Sequence, residues 1–444
     1  MNRELRPLVV LALPIIQAEL GWMSMGLVDT LMVGSLGPSA IGAVGTGSIL
    51  FLAVMVVGMG TLLALDTFVS QNFGAGRIDE CHRWLFAGLQ LAGVLAVVLM
   101  GLTFGLIAAL PVFGLHPDVL AYLRPYLSSL VWSTPPLLAY AVFRRYLQAC
   151  HVVWPITFAL ILANLVNVAA NWVLIHGHLG FPALGVAGSA WATVFSRVTM
   201  AGWLWMTIIY RERDRPSGLH DVPFAIDMAR VWRIVRLGVP AAAQALLEVG
   251  VFAVATALAA RIAPAAIAAH NIVLNIIGFI FMVPFGLGSA AAVRVGHAIG
   301  RGDPAGARSA GWIAVMLATG VMSASALLLW LAPGLLIRPF SADADVMTIG
   351  MGLMFVAAIF QLFDGVQAVA TGALRGLGDT RTPMVVNLIG HWAVGLPLAY
   401  VLCFNYGWAA QGLWIGLAAG LIVTGGVLVL VWHRRSRLLA QSGL

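Results

Sequence analysis

The sequence predicts an all-α integral membrane protein of twelve spanning helices, built as two repeated six-helix halves. Three observations carry that expectation. Of 444 residues, 61% are apolar and only 9% are charged, whereas a water-soluble chain of this size carries about 25% charged residues. Apolar stretches fall near 8–34, 40–70, 84–111, 120–147, 155–177, 184–210, 237–260, 265–296, 309–336, 346–373, 383–404 and 408–432; each is long enough to cross a hydrocarbon core of about 30 Å. The two halves also align without a gap at a spacing of 226 residues: Pro14 with Pro240, Pro38 with Pro264, Ala40-Ile41 with Ala266-Ile267, Gly60 with Gly286, and Gly74-x-Gly76 with Gly300-x-Gly302. A half-length repeat in a membrane chain is the pattern of two-lobed transport architectures.

The expected domains are an N-lobe at 1–210, a polar linker at 211–236 and a C-lobe at 237–444. Each lobe holds six spans, an even number, so both enter the bilayer from the same side as parallel repeats. Span 1 is too long for a secretory leader and carries Glu19 and Asp29, so it is expected to remain in place. Pro14 opens span 1 as Pro240 opens span 7. Span 2 ends in a polar run, Asp66, Ser70, Gln71 and Asn72, which reads as an inner gate or packing network. Span 5 places Asn167 and Asn171 on one helical face, at i and i+4. Span 6 carries Arg197. The linker has a Pro-Ser-Gly loop at its core and closes with a short amphipathic stretch from Asp227 to Arg236. Glu248 lies in span 7, His270 and Pro284 in span 8, and Asp364 in span 10.

Orientation follows from the arginines. There is no lysine, and with the N-terminus inside, 20 of the 24 basic residues, Arg144 and Arg145 among them, fall on inner segments. That asymmetry places both termini in the cytoplasm. It also accounts for the net charge of +7 without a nucleic-acid partner. Cys81, Cys150 and Cys403 show neither disulfide nor metal spacing. The histidines are scattered and cluster with no nucleophile, which argues against an enzyme.

Ionisable groups inside a span are costly and mark function. Glu248 and Asp364 each sit roughly 17 Å above the inner end of their spans by helix rise. Two acids at one depth make a cation site that can share a proton or hold Na⁺; the plainer alternative is two separate buried acids. Asp29 with Asn167 and Asn171 forms an N-lobe polar site suited to a proton, water or a cationic substrate, although asparagines in spans also serve as interhelical glue. Glu19 and Arg197 come out at a common depth of about 20 Å, so a structural ion pair between spans 1 and 6 is expected. His270, beside Asn271, is the one histidine placed for a role in gating or a polar network.

The motifs MGLVDTLMVGSLG, SQNFGAG, EVGVFAVATALAARIAPAAIAAHNIVLN, VRVGHAIG and FQLFDGVQAVATGALRGLGDTRTP resemble those of the multidrug and toxic compound extrusion (MATE) family, nearest its NorM-type bacterial branch, along essentially the whole chain. The resemblance implies a V-shaped pair of six-helix bundles with an internal cavity, a monomer of the bacterial inner membrane, no resident cofactor, and export of small organic cations in exchange for Na⁺ or H⁺. It also implies coupling roles for Asp29, Glu248 and Asp364, with Asn167 and Asn171 as the span-5 amides. Glu19 and Arg197 lie outside the family pattern. A lipid-linked oligosaccharide flippase of the same superfamily is the alternative; it calls for a more cationic cavity.

Overall fold

The computed structural model describes residues 2–114, 116–213, 219, 222 and 225–441. Among these residues the chain is almost entirely helical, with no strand. Among the described residues, eleven helical segments are long and apolar enough to cross a membrane. The remaining expected span, 120–147, is broken. It consists of α5 (Pro117–Leu130), a 3₁₀ turn (Val131–Ser133) and α6 (Thr134–Ala149). Pro135 and Pro136 cannot donate to the preceding turn, and α6 carries Arg144 and Arg145, which lower its hydropathy.

Two compact units form. One is Gln17–Ala242; the other is Met1–Ile16 together with Ala243–Leu444. The boundaries therefore fall inside α1 (Asn2–Val33) and α9 (Met228–Ala259). The first unit is otherwise built from α2 (Pro38–Leu62), α3 (Ala64–Gly74), α4 (Ile78–Ala109), α5, α6, α7 (Trp154–His176) and α8 (Val186–Glu212). The second contains α10 (Pro264–Gly300), α11 (Pro304–Leu331), α12 (Pro333–Ile337), α13 (Ala344–Gly376), α14 (Arg381–Asn387), α15 (Leu396–Tyr400) and α16 (Ala409–Gln441).

The repeat extends to the helix starts. Asn2 and Met228, Pro38 and Pro264, and Ile78 and Pro304 each lie 226 residues apart. Pro14 and Pro240 do not open their spans. Both lie inside their helices, each twelve residues past the first residue, Asn2 or Met228. The helices begin earlier than the apolar stretches because the polar segments leading into them are helical too. At the inner turn of each repeat the second glycine adopts a left-handed conformation, φ 73° at Gly76 and 67° at Gly302. Arg77 N–H donates to the Asn72 carbonyl (2.9 Å) and Asp303 N–H to that of Ala298 (2.8 Å), the six-to-one bond of a Schellman end.

The linker is fixed to the first unit where it is described. Asp227 caps α9 by accepting from the Arg230 amide at 2.9 Å, and the Arg230 guanidinium reaches Glu80 on α4 at 2.9 Å. In the second unit, the segment after α14 widens into π-helical turns at Leu388–Gly395 and Val401–Asn405.

Candidate functional site

Among the described residues, the intramembrane acids fall in three groups, two in the first unit and one in the second. The first is centred on Asp29, near the C-terminal end of α1. The i, i+4 spacing of Asn167 and Asn171 on α7 aims both amides at one point, and both donate to Asp29 Oδ1, at 3.0 and 2.9 Å. Asn171 also donates to Asn167 Oδ1 at 3.1 Å, so the two amides hold each other in place. The second oxygen, Oδ2, accepts from the Thr193 hydroxyl on α8 at 2.9 Å. Asp29 thus has three neutral donors, all from buried residues. Neutral donors can stabilise a carboxylate in an apolar surround where a bare charge would be costly.

Asp29 lies on the wall of a cavity of about 260 Å³. Trp22, Phe51, Met55 and Tyr126 supply its apolar lining, and Arg197 supplies a second charge. The Tyr126 and Ser48 hydroxyls bond each other at 3.0 Å. Sequence reasoning misses Thr193 and Tyr126. Thr193 lies four residues before Arg197, hence on the same helical face, and that spacing is the available signal.

The second group corrects one expectation. Glu19 and Arg197 do not form an ion pair. Glu19 pairs instead with Arg144 on α6, and Asp66 pairs with the adjacent Arg145 at 3.2 Å. The charge pattern alone puts Arg144 and Arg145 on an inner segment. The proline-broken entry of α6 leaves a short helix whose basic end is buried, at 4% and 6% exposure, and this places both guanidiniums among the acids of α1 and α3. Arg197 donates to Ser133 and lies over the rings of Trp22 and Phe51, at 5.6 and 5.0 Å. Gln71 is half-buried on α3 beyond Asp66. His82 and Glu212 form a further buried contact at 3.2 Å, with the His82 ring 6.1 Å from that of Tyr146, the residue after Arg145.

The third group is in the second unit. Asp364 on α13 is buried and Glu248 on α9 is half-buried; Gln244, one turn before Glu248, donates to the Thr371 hydroxyl on α13 at 3.4 Å, which ties the two helices together. Among the described residues, no hydrogen bond is donated to either carboxyl group. Gln361 lies one turn before Asp364, and its side-chain oxygen and nitrogen are both buried without a partner. Trp392, in the π-helical turn, donates its indole N–H to the Leu247 carbonyl at 3.0 Å, which holds α9 directly beside Glu248. His270 stands apart from this pair. Its Nδ1 accepts from the Trp414 indole at 3.0 Å, which leaves Nε2 to donate to the Thr256 hydroxyl at 2.9 Å. That is a neutral, packed histidine bridging α10, α16 and α9.

This is a helical membrane protein of two repeated units, with a polar cavity in one and a carboxylate pair in the other. The MatE family profile matches residues 14–173 and 240–401, one match in each half. The chain is 35% identical over 444 residues to "Probable multidrug resistance protein NorM" of Mesorhizobium japonicum, covering 98% of this chain and 95% of the relative. Its fold is that of the "eukaryotic MATE transporter AtDTX14" (TM-score 0.87, 21% identity, 100% and 99% coverage). It is equally that of a solved "MATE in the bent conformation" (TM-score 0.88, 18% identity, 99% and 97% coverage). The chain belongs to the MatE family.

Proposed function

We propose that this protein is a multidrug efflux antiporter of a bacterial inner membrane, with both termini in the cytoplasm, that acts as a monomer. It exports lipophilic organic cations in exchange for inward Na⁺ or H⁺. The observation that carries this reading is the Glu248–Asp364 pair: two carboxyl groups on adjoining helices of one membrane-spanning unit, with no protein donor to either among the described residues. Such a pair calls for a shared proton or a bound monovalent cation to offset its repulsion. The hard oxygen donors suit Na⁺, and the same oxygens accept a proton.

Coupling then follows from charge. With the pair ionised, the protein attracts a cationic cargo. Entry of the coupling ion from outside neutralises the pair and weakens that attraction. An inward monovalent cation gains about 2.3 kcal/mol per 100 mV of membrane potential, enough to sustain a cargo gradient through alternating access. Asp29 provides a second acid at which cargo charge or a proton can be held. The relatives' names, which describe multidrug resistance proteins, support the same reading.

The test is ethidium efflux from proteoliposomes under separately imposed Na⁺ and H⁺ gradients. Efflux driven by one ion and lost in Glu248→Gln and Asp364→Asn supports antiport and identifies the ion. Efflux that ignores both gradients, or survives both substitutions, overturns it. Transport of lipid-linked sugars in place of ethidium would favour the flippase alternative.

A further inference from the structure

Arg197 lines the first unit's cavity with more bonding capacity than its partners use. A guanidinium offers five N–H donors in a fixed fork. Arg197 places one of its NH₂ groups on the Ser133 hydroxyl, and its Nε is buried with no acceptor. The residue is only 8% exposed, and it faces the cavity. Asp29, on the same wall, is in the opposite condition. Its two oxygens already accept from Asn167, Asn171 and Thr193, out of about four acceptor sites that a carboxylate has. The two charges line one cavity, yet each is solvated by different neutral groups.

The cavity therefore has donors to spare and few acceptors. Its aromatic faces are also occupied. A cargo cation would stack on Trp22 and Phe51, but the Arg197 guanidinium already lies over both rings. What remains is a buried cation, flanked by Tyr126 and Met55, that faces a mostly apolar space and makes no ion pair among the described residues.

We infer that the first unit's cavity binds the anionic group of an aromatic cargo, with Arg197 receiving a carboxylate and the rings and methionines packing its body. Any cationic group on the same cargo is directed to Asp29, so zwitterionic aromatics fit as well. This extends the cargo of the multidrug reading beyond cations and rests on that reading for the transport step, though not for binding.

The experiment compares three probes that share one ring: indole-3-acetate, the uncharged indole-3-acetamide and cationic tryptamine. Binding is measured by calorimetry on the purified full chain in nanodiscs, for wild type, Arg197→Lys and Arg197→Gln. In wild type the acetate binds about tenfold or more tighter than the amide, as a charge-assisted bond to a buried guanidinium requires. Arg197→Lys retains a preference for the acetate, and Arg197→Gln abolishes it without weakening tryptamine. Equal binding of acetate and amide to wild type overturns the inference, and that arm needs no variant to fold. So does an acetate preference that survives Arg197→Gln. Ethidium efflux, measured on the same purified protein reconstituted into proteoliposomes, separates the two claims: intact gradient-driven efflux with no acetate preference removes this inference alone, whereas loss of efflux with the preference intact removes the antiport reading alone.

Discussion

Glu19 and Arg144 form an ion pair whose side chains are 9% and 5% exposed. Removing one partner leaves an uncompensated charge in an apolar interior, which typically costs about 3–5 kcal/mol. Arg144→Met is expected to lower stability by that amount, and Glu19→Gln combined with Arg144→Met to recover most of it. Thermal unfolding of the purified variants reads both; a double variant no better than the single one would break the pairing argument. Thr193 makes a narrower point. Its hydroxyl is the sole donor to Asp29 Oδ2 among the described residues, so Thr193→Val leaves that oxygen buried and unsatisfied. A destabilisation of about 1–3 kcal/mol is expected, with Thr193→Ser close to wild type in the same assay.

At the scale of the element, helix ends offer the clearest tests. Gly76 and Gly302 occupy equivalent turns with positive φ, and nothing lies within 4 Å of a Cβ added at either. Substitution by alanine therefore costs backbone strain alone, about 1–2 kcal/mol. Equal losses in Gly76→Ala and Gly302→Ala are expected in denaturation, and unequal ones would show that the repeated turns have diverged in load. The cap on α9 behaves differently. The Arg230 amide, donating to Oδ1, and the Arg230 guanidinium, donating to Oδ2, hold the Asp227 carboxyl below the usual carboxylate range. A depressed native value means the carboxylate stabilises the fold at neutral pH, and the contribution is lost as pH falls through about 4 and below. Hydrogen exchange at the start of α9 is expected to quicken on acidification in wild type. In Asp227→Asn, which retains a weaker side-chain acceptor, the exchange is expected to be faster at neutral pH and much less sensitive to acid.

For the whole molecule, the prediction concerns orientation. The three native cysteines are buried and give a low background for an impermeant maleimide. Arg301→Cys is expected to label only from the cytoplasmic side and Phe181→Cys only from outside. Both residues are exposed, and the opposite pattern would reverse the proposed topology. The sequence by itself determined the helical membrane class, the 226-residue repeat and the identity of the intramembrane acids, because low charge and apolar runs of bilayer length are properties of the chain read in one dimension. It also determined the Asn167–Asn171 face, since i, i+4 spacing fixes direction on a helix. Depth along a helix axis, however, does not fix azimuth. Glu19 and Arg197 share a depth, yet Glu19 meets Arg144, and Arg197 turns to Ser133 and the cavity. Which charges meet was decided by the break ahead of α6 and by the packing of α1 against its neighbours. Thr193, Gln361 and Trp392 acquire their places for the same reason: each depends on which face of its helix the tertiary structure presents to the site.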